Sequence, residues 1–181
     1  AGVIKALNND AKFITNGETK TVTPYKSISS YSINTENFEA YPNRDSTPYI
    51  KEYNFNKNWK VIGFVRGTLR NLGWKKAWQD IFQNIENINI DSDYKKLENL
   101  SNELWDKYSY KEEEEDRVVL NVSLKASQKS NVKFERSYLL DAWGDRKYTA
   151  MARLVSIPVA LAVEAILKNK ISIGVSPAPK S

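Results

Sequence analysis

Polar and apolar positions along this chain follow two periods, and the switches between them mark its elements. Lys12-Phe13-Ile14-Thr15 and Thr19-Lys20-Thr21-Val22-Thr23 flank Asn16-Gly17-Glu18. Asn-Gly is a turn signal, so the pattern predicts a hairpin, closed by a two-residue turn or by a three-residue loop. Residues 27–37 are rich in Ser and Asn and read as a loop, followed by a short strand over 38–41. Thr47-Pro48 opens a brief helix reaching Tyr53, because Pro is tolerated in a first turn. The segment Asn58-Trp59-Lys60-Val61-Ile62-Gly63-Phe64-Val65 has the β-branched and aromatic density of a buried strand.

The period then becomes helical. Trp74, Trp78, Ile81 and Ile85 recur on one face with Phe82 beside them, predicting a helix over 72–88 whose tryptophans are core. A second helix over 92–108 carries Leu97, Leu100, Leu104 and Trp105 on its apolar stripe. The acidic run 111–116 gathers no carboxylates around one point, so it reads as a solvated turn rather than a metal site. Segments 117–127 and 133–143 follow, joined by 128–131. Val118, Leu120, Val122 and Leu124 alternate with Val119, Asn121, Ser123 and Lys125, as in a half-buried antiparallel strand. Phe134, Leu139 and Leu140 put the return strand beside it. Residues 148–169 predict a long helix, with Met151, Leu154, Val155, Ala162, Ala165 and Ile166 inward and a kink at Pro158. Its apolar run 154–167 is short for a membrane span and contains Ser156, Pro158 and Glu164, so it reads as a core helix. From Gly174 the tail reads as extended.

With 181 residues, 41% hydrophobic and 27% charged, the chain suits one well-buried domain, at most with an appendage. The class is α+β: a mixed, largely antiparallel sheet with helices packed on it. A net charge of +5 would suit an acidic partner, but no Lys/Arg-rich run appears, and neither nucleic acid nor a membrane is an expected partner. The absence of Cys removes disulfides, zinc thiolate sites and thiol nucleophiles. The absence of His removes the commonest general base and every Ser-His-Asp arrangement. Proton transfer is left to Asp, Glu, Lys, Tyr or water. The seven glycines are scattered and form no Gly-x-Gly-x-x-Gly, so no dinucleotide fingerprint is present. The chain also starts at Ala1 in patterned sequence, which suggests a piece of something larger.

One segment carries candidate chemistry at both ends: Tyr41-Pro42-Asn43-Arg44-Asp45-Ser46, and Arg66-Gly67-Thr68-Leu69-Arg70. Pro42, Asn43 and Asp45 suit a turn, and Gly67 lets the backbone come close to a neighbour. Guanidinium is a planar fork of donors matched to carboxylate, so two such clusters facing one cleft would hold a polyanionic small molecule. Any one of these arginines alone reads more readily as surface charge in a loop.

As a unit, Tyr41-Pro42-Asn43-Arg44-Asp45-Ser46-Thr47 and Arg66-Gly67-Thr68-Leu69-Arg70 followed by Gly73 resemble the second domain of glutamate-forming saccharopine dehydrogenases. That family includes the C-terminal half of the bifunctional aminoadipic semialdehyde synthase. Ala142-Trp143-Gly144-Asp145, then Tyr148-Thr149-Ala150-Met151-Ala152-Arg153 with Val155, Ile157 and Pro158, is similar to the family's helix start, and Gly174-Val175 with Pro177 to the segment after it. The likeness is colinear from about residue 1 to 177. It departs at Asn71, where the family usually has an aromatic, at Arg153, Leu154 and Ser156 in the helix motif, and in a longer loop near 54–58.

The resemblance implies that residues 1–181 are the inserted substrate-binding domain of a Rossmann-type dehydrogenase. The Rossmann domain, which binds NAD or NADP, would be a separate part of the same polypeptide. It further implies Arg44, Thr68, Leu69 and Arg70 as saccharopine contacts, with no cofactor or metal ligands in this chain. No acid or base is identified; Asp45, Asp141, Asp145 and Tyr148 qualify by type only. Saccharopine is glutamate joined through its nitrogen to a lysine side chain, so it has three carboxylates for two arginines to clamp, with the Thr68 hydroxyl as a further donor. In the implied reaction of lysine metabolism, the carbon on the lysine side of the amine gives hydride to the nicotinamide. The imine takes up water and collapses to glutamate and 2-aminoadipate 6-semialdehyde. This domain would orient the substrate and be inactive alone. A cytoplasmic enzyme is implied, or one in the mitochondrial matrix for a eukaryotic bifunctional form, with room for a homodimer. Two rivals stand beside this reading: a dehydrogenase of the carboxynorspermidine type, and a non-catalytic binding or dimerisation domain.

Overall fold

Asn16 and Gly17 both take positive φ, 53° and 79°, as a primed two-residue turn requires. That turn sets the register of the first hairpin, in which β1 (Ala11–Thr15) pairs antiparallel with β2 (Glu18–Val22) and Thr15 lies opposite Glu18. The computed structural model describes residues 2–86, 93–129, 131–171 and 174. They form two compact units, one reaching to Tyr108 and the other beginning at Ser109.

In the first unit, α1 (Gly2–Asn8) precedes the hairpin and sends Ile4 and Leu7 into the core, an element too short to stand out in the sequence pattern. The expected loop over 27–37 instead contains β3 (Ser29–Ile33) and a turn at Asn34 leading into β4 (Glu36–Pro42). Its Ser-rich composition hid a strand whose order comes from backbone pairing rather than burial, since only Ile33 of β3 is buried. With β5 (Gly67–Asn71) these form an antiparallel sheet of order β3-β4-β5. The expected buried strand over 58–65 does not form. Phe64 exchanges two backbone hydrogen bonds with Ile14 (3.0 and 2.9 Å) and Ile62 O accepts from Gly17 N (2.8 Å), but Trp59, Ile62 and Val65 are exposed. Apolar density records what a segment could bury, not whether anything covers it.

The helix α2 (Pro48–Glu52) begins where Thr47-Pro48 predicts. The expected helix over 72–88 is α3 (Trp74–Ala77) and α4 (Gln79–Glu86), separated at Trp78; positions 87 and 88 lie outside the described residues. Trp78 N still bonds Trp74 O, and Phe82 N bonds Trp78 O (both 2.9 Å), so the helical path and its apolar stripe survive the break. α5 (Tyr94–Tyr108) buries Leu97 and packs Leu100 and Leu104 on the core, but Trp105 faces solvent. The core joins Ile4, Leu7, Tyr25 of the 3-10 turn Pro24–Lys26, Tyr41, Ile81, Phe82, Ile85 and Leu97. Burial of each large side chain contributes about 1.5–3 kcal/mol.

The second unit is a long hairpin, β6 (Arg117–Gln128) with β7 (Asn131–Trp143), and α6 (Ala150–Leu167). Register places Leu120, Val122 and Leu124 on one face with Phe134, Arg136, Tyr138 and Leu140, and the Ser123–Ser137 and Lys125–Glu135 pairs on the other. The half-buried expectation fails: Leu120 and Tyr138 are 53% and 58% exposed. The core-helix expectation for α6 fails too. It runs through Pro158, yet Met151, Val155 and Ile166 are exposed and only Ala150 is buried. By length and composition alone α6 is also long and apolar enough to cross a membrane; hydropathy reports that a surface is apolar and is silent on what covers it. The tail beyond Gly174 lies outside the described residues.

Two side chains hold the start of α6. Thr149 Oγ1 accepts from Ala152 N (3.0 Å), and Asp116, the last of the acidic run, accepts from Ala150 N (2.7 Å) and Met151 N (2.9 Å). Gly144 is needed beside them, because a Cβ there would lie 2.2 Å from Asp116 Oδ1. The Met151 N–H bond, with that of Ala150, holds the Asp116 carboxyl below the ordinary aspartate range. A depressed folded-state value means the stabilisation is complete above the ordinary value of 3.8 and is lost as pH falls below it. Asp116→Ala should therefore speed hydrogen exchange at the Ala150 and Met151 amides and remove its acid dependence. Gly144→Ala should destabilise the second unit by about 1–3 kcal/mol through overpacking, measurable by denaturant titration.

Candidate functional site

The first motif is fixed to β1 on both sides of Asp45. Lys12 N donates to Arg44 O (3.1 Å) and Ser46 N donates to Lys12 O (2.7 Å). Those bonds bracket Asp45, and Arg44, just before them, takes a left-handed φ of 58°; among the described residues the other non-glycine residues in that region are asparagines and Lys129. Asn tolerates this conformation; for a longer side chain it costs about 1–3 kcal/mol and persists only where the surroundings enforce it. The Arg44 side chain is exposed.

Ser46 ties the two motifs together. It has no exposed surface, and its Oγ accepts from Arg66 N (3.0 Å). Asn43 N in turn donates to Arg66 O (2.8 Å), extending the β4–β5 register one pair beyond Pro42–Gly67. Gly67 permits the close pairing, since a Cβ there would sit 3.3 Å from Tyr41 O. Cross-strand partners share a face, and strand side chains alternate. Glu39 and Tyr41 of β4, with Asn43 just beyond its end, therefore stand on the same face as Arg70, Thr68 and Arg66.

Thr68 and Arg70 are thus brought together, and Leu69 lies on the opposite face with Ala40. Arg44 stands at the far end, five positions beyond the Glu39 that pairs with Arg70, at most roughly 16 Å along the strand at about 3.3 Å per residue. Arg70 is half-buried: its Nη2 donates to Tyr41 OH (3.2 Å), and the guanidinium lies 5.2 Å from the Trp74 ring centre. Trp74 itself stacks on Tyr41 at 5.3 Å. Arg66 lies over the Tyr49 ring of α2 at 4.2 Å. The one acidic side chain on this face, Glu39, accepts from Gly73 N (3.3 Å) and Lys75 N (2.6 Å) at the start of α3, and makes no ion pair with the opposite Arg70.

Among the described residues, Arg44, Arg66 and Arg70 make no ion pair, whereas in the second unit Arg117 pairs with Asp141, Arg146 with Glu113 and Arg153 with Asp145. Among the described residues, two buried side-chain atoms lack a protein partner, Asn43 Oδ1 and Arg70 Nε, one from each motif. Leaving such groups unsatisfied costs about 1–3 kcal/mol each. The sequence reading had Asn43, Ser46 and Arg66 within its two motifs but did not nominate them as site residues, and it missed Tyr49. A period of two would have joined residues 66, 68 and 70, had β5 been recognised as a strand.

The residues that qualified as acid or base by type have structural bonds. Asp45 accepts from the hydroxyl and N–H of Thr47 at the start of α2 (2.7 and 2.8 Å), and these bonds hold its carboxyl below the ordinary range. Asp141 forms a two-point pair with Arg117 (2.8 and 2.7 Å) and Asp145 accepts from Tyr148 N and Lys147 N; both carboxyls are lowered by those hydrogen bonds. Carboxyls so depressed are poor proton carriers near neutral pH. Tyr148 is exposed on the second unit. Ser46→Ala would leave the Arg66 N–H without its acceptor, and the expected loss is about 1–3 kcal/mol of stability, read as a lower midpoint in thermal unfolding with the rest of β5 intact.

Comparison with known proteins adds a family to this geometry. A family model described as the saccharopine dehydrogenase C-terminal domain matches residues 1–179. The chain is 27% identical to saccharopine dehydrogenase [NADP(+), L-glutamate-forming] of Pyricularia oryzae and 26% identical to that of Schizosaccharomyces pombe. Each alignment covers 94% of this chain and 53% of the relative, so the chain spans about half the length of the curated relatives it matches. Its fold is similar to that of apo saccharopine dehydrogenase (L-Glu forming) from Saccharomyces cerevisiae, with a TM-score of 0.77 at 22% identity, over 99% of this chain and 55% of that one.

Proposed function

This chain belongs to the saccharopine dehydrogenase C-terminal domain family, and from that premise we propose that it is the substrate-binding domain of an NAD(P)-dependent enzyme that oxidises saccharopine to glutamate and 2-aminoadipate 6-semialdehyde in lysine metabolism. The observation that carries this reading is the set of arginines without carboxylate partners on and beside one sheet face: Arg44 at one end, Arg70 at the other, and the Thr68 hydroxyl between them. Cations left unpaired by the protein suit a ligand that brings several carboxylates, and their spread suits an elongated one. Saccharopine is both. A carboxynorspermidine-type substrate has one carboxylate and cationic amines, which these guanidiniums would repel, so the face favours saccharopine over that rival.

No Gly-rich fingerprint exists in this chain to cradle a dinucleotide. The nicotinamide that accepts hydride is therefore assigned to a separate Rossmann domain of the same polypeptide, and no residue here is given a role toward it. The work of this chain is orientation. Arg44 and Arg70 grip carboxylates, Thr68 donates a hydrogen bond, and the backbone bonds from Lys12 and Ser46 keep these donors from rearranging.

In the full-length enzyme, Arg44→Ala and Arg70→Ala should each raise the KM for saccharopine roughly ten- to 150-fold, the equivalent of a charge-assisted bond worth about 1.5–3 kcal/mol. An unchanged KM in both variants refutes the clamp. Turnover of carboxynorspermidine but not saccharopine by the wild-type enzyme refutes the substrate.

A further inference from the structure

Resting on that reading, we infer that Arg66 is a further carboxylate-binding residue of the site, and that with Arg44 it forms the end that receives the glutamyl half of the substrate. The register extended by the Asn43–Arg66 bond puts Arg66 on the face of Thr68 and Arg70, at the end where β4 runs into Arg44. Its backbone is held on both sides, N–H by the buried Ser46 Oγ and C=O by Asn43 N. Its guanidinium lies over Tyr49 at 4.2 Å. An aromatic shelf of that kind orients the planar fork while its N–H edges remain able to bond a carboxylate. Nor is Arg66 in an ion pair among the described residues, and the one acidic side chain of the face, Glu39, is occupied at α3.

The polarity follows from spacing. Saccharopine carries two carboxylates close together on its glutamyl half and one at the distant end of its lysyl half. The face has two arginines toward one end, Arg44 and Arg66, and one at the other, Arg70. Matching two with two and one with one places the glutamyl half at the Arg44–Arg66 end and the lysyl carboxylate at Arg70.

The test uses the full-length enzyme with saccharopine as substrate and free glutamate as a competing ligand. Arg66→Ala should raise the saccharopine KM and the glutamate inhibition constant each by roughly tenfold or more, as loss of a charge-assisted contact requires. Arg70→Ala should raise the saccharopine KM and leave glutamate inhibition within about twofold, since free glutamate makes no lysyl contact. Arg66→Lys should recover part of the loss, and Tyr49→Leu, which removes the shelf and keeps the charge, should weaken glutamate by a smaller factor than Arg66→Ala. Circular dichroism and thermal melts separate these effects from misfolding; if Arg66→Ala fails to fold, Arg66→Lys and Tyr49→Leu carry the test. An unchanged saccharopine KM in Arg66→Ala overturns the assignment, and weakened glutamate inhibition in Arg70→Ala but not Arg66→Ala overturns the polarity. In both cases wild-type turnover of saccharopine leaves the broader reading standing, whereas its absence refutes that reading first.

Discussion

A fully buried serine hydroxyl holds the functional face in place. Ser46 accepts from the Arg66 backbone through its side chain and donates to Lys12 through its own backbone, joining β1, the turn at Arg44 and the start of β5. An exposed hydroxyl could exchange its partners for water at little cost. A buried one cannot, because an unsatisfied donor or acceptor there loses its full hydration. The left-handed backbone at Arg44 is held from its C-terminal side by the same anchors, its own carbonyl accepting from Lys12 N.

The two units treat arginine differently, and the contrast bears on function. In the second unit, Arg117, Arg146 and Arg153 are paired with carboxylates along the hairpin and around the start of α6, and Arg136 lies over Phe134. In the first, the arginines of the two motifs lie against aromatic rings or in solvent, while Glu39 holds the start of α3 and Asp45 holds Thr47 just before α2. Both acidic side chains near the face thus perform structural work that keeps them from neutralising it. A cationic face kept open in this way is ready for an anionic ligand without first breaking an internal pair.

The motif around Gly144 has a structural explanation rather than a chemical one. Asp116 crosses from the end of the acidic run to satisfy two free amides of α6, and only a residue without a Cβ fits at Gly144 beside it. Asp145 similarly closes the turn leading to Thr149. A motif of this kind can identify a family as firmly as a binding motif does, while marking a helix start.

Local chemistry was legible in the residues: the Asn16-Gly17 hairpin, the helix after Thr47-Pro48, the Trp74–Ile85 stripe and the long hairpin from Arg117. Each follows from interactions spanning a few positions, a primed turn, a helix cap or a period of side chains, so a window of sequence contains its cause. The family resemblance was legible for the same reason, through contiguous motifs. Burial was not. The segment 58–65, the hairpin face from Leu120 and the helix α6 all read as covered, yet they are exposed, because covering an apolar surface is the act of some other part of a molecule. Nor could the sequence show that Asn43 pairs with Arg66, or that Ser46 joins their strand to β1. Those facts depend on register and on chain segments meeting across twenty or more positions, which only the tertiary structure decides.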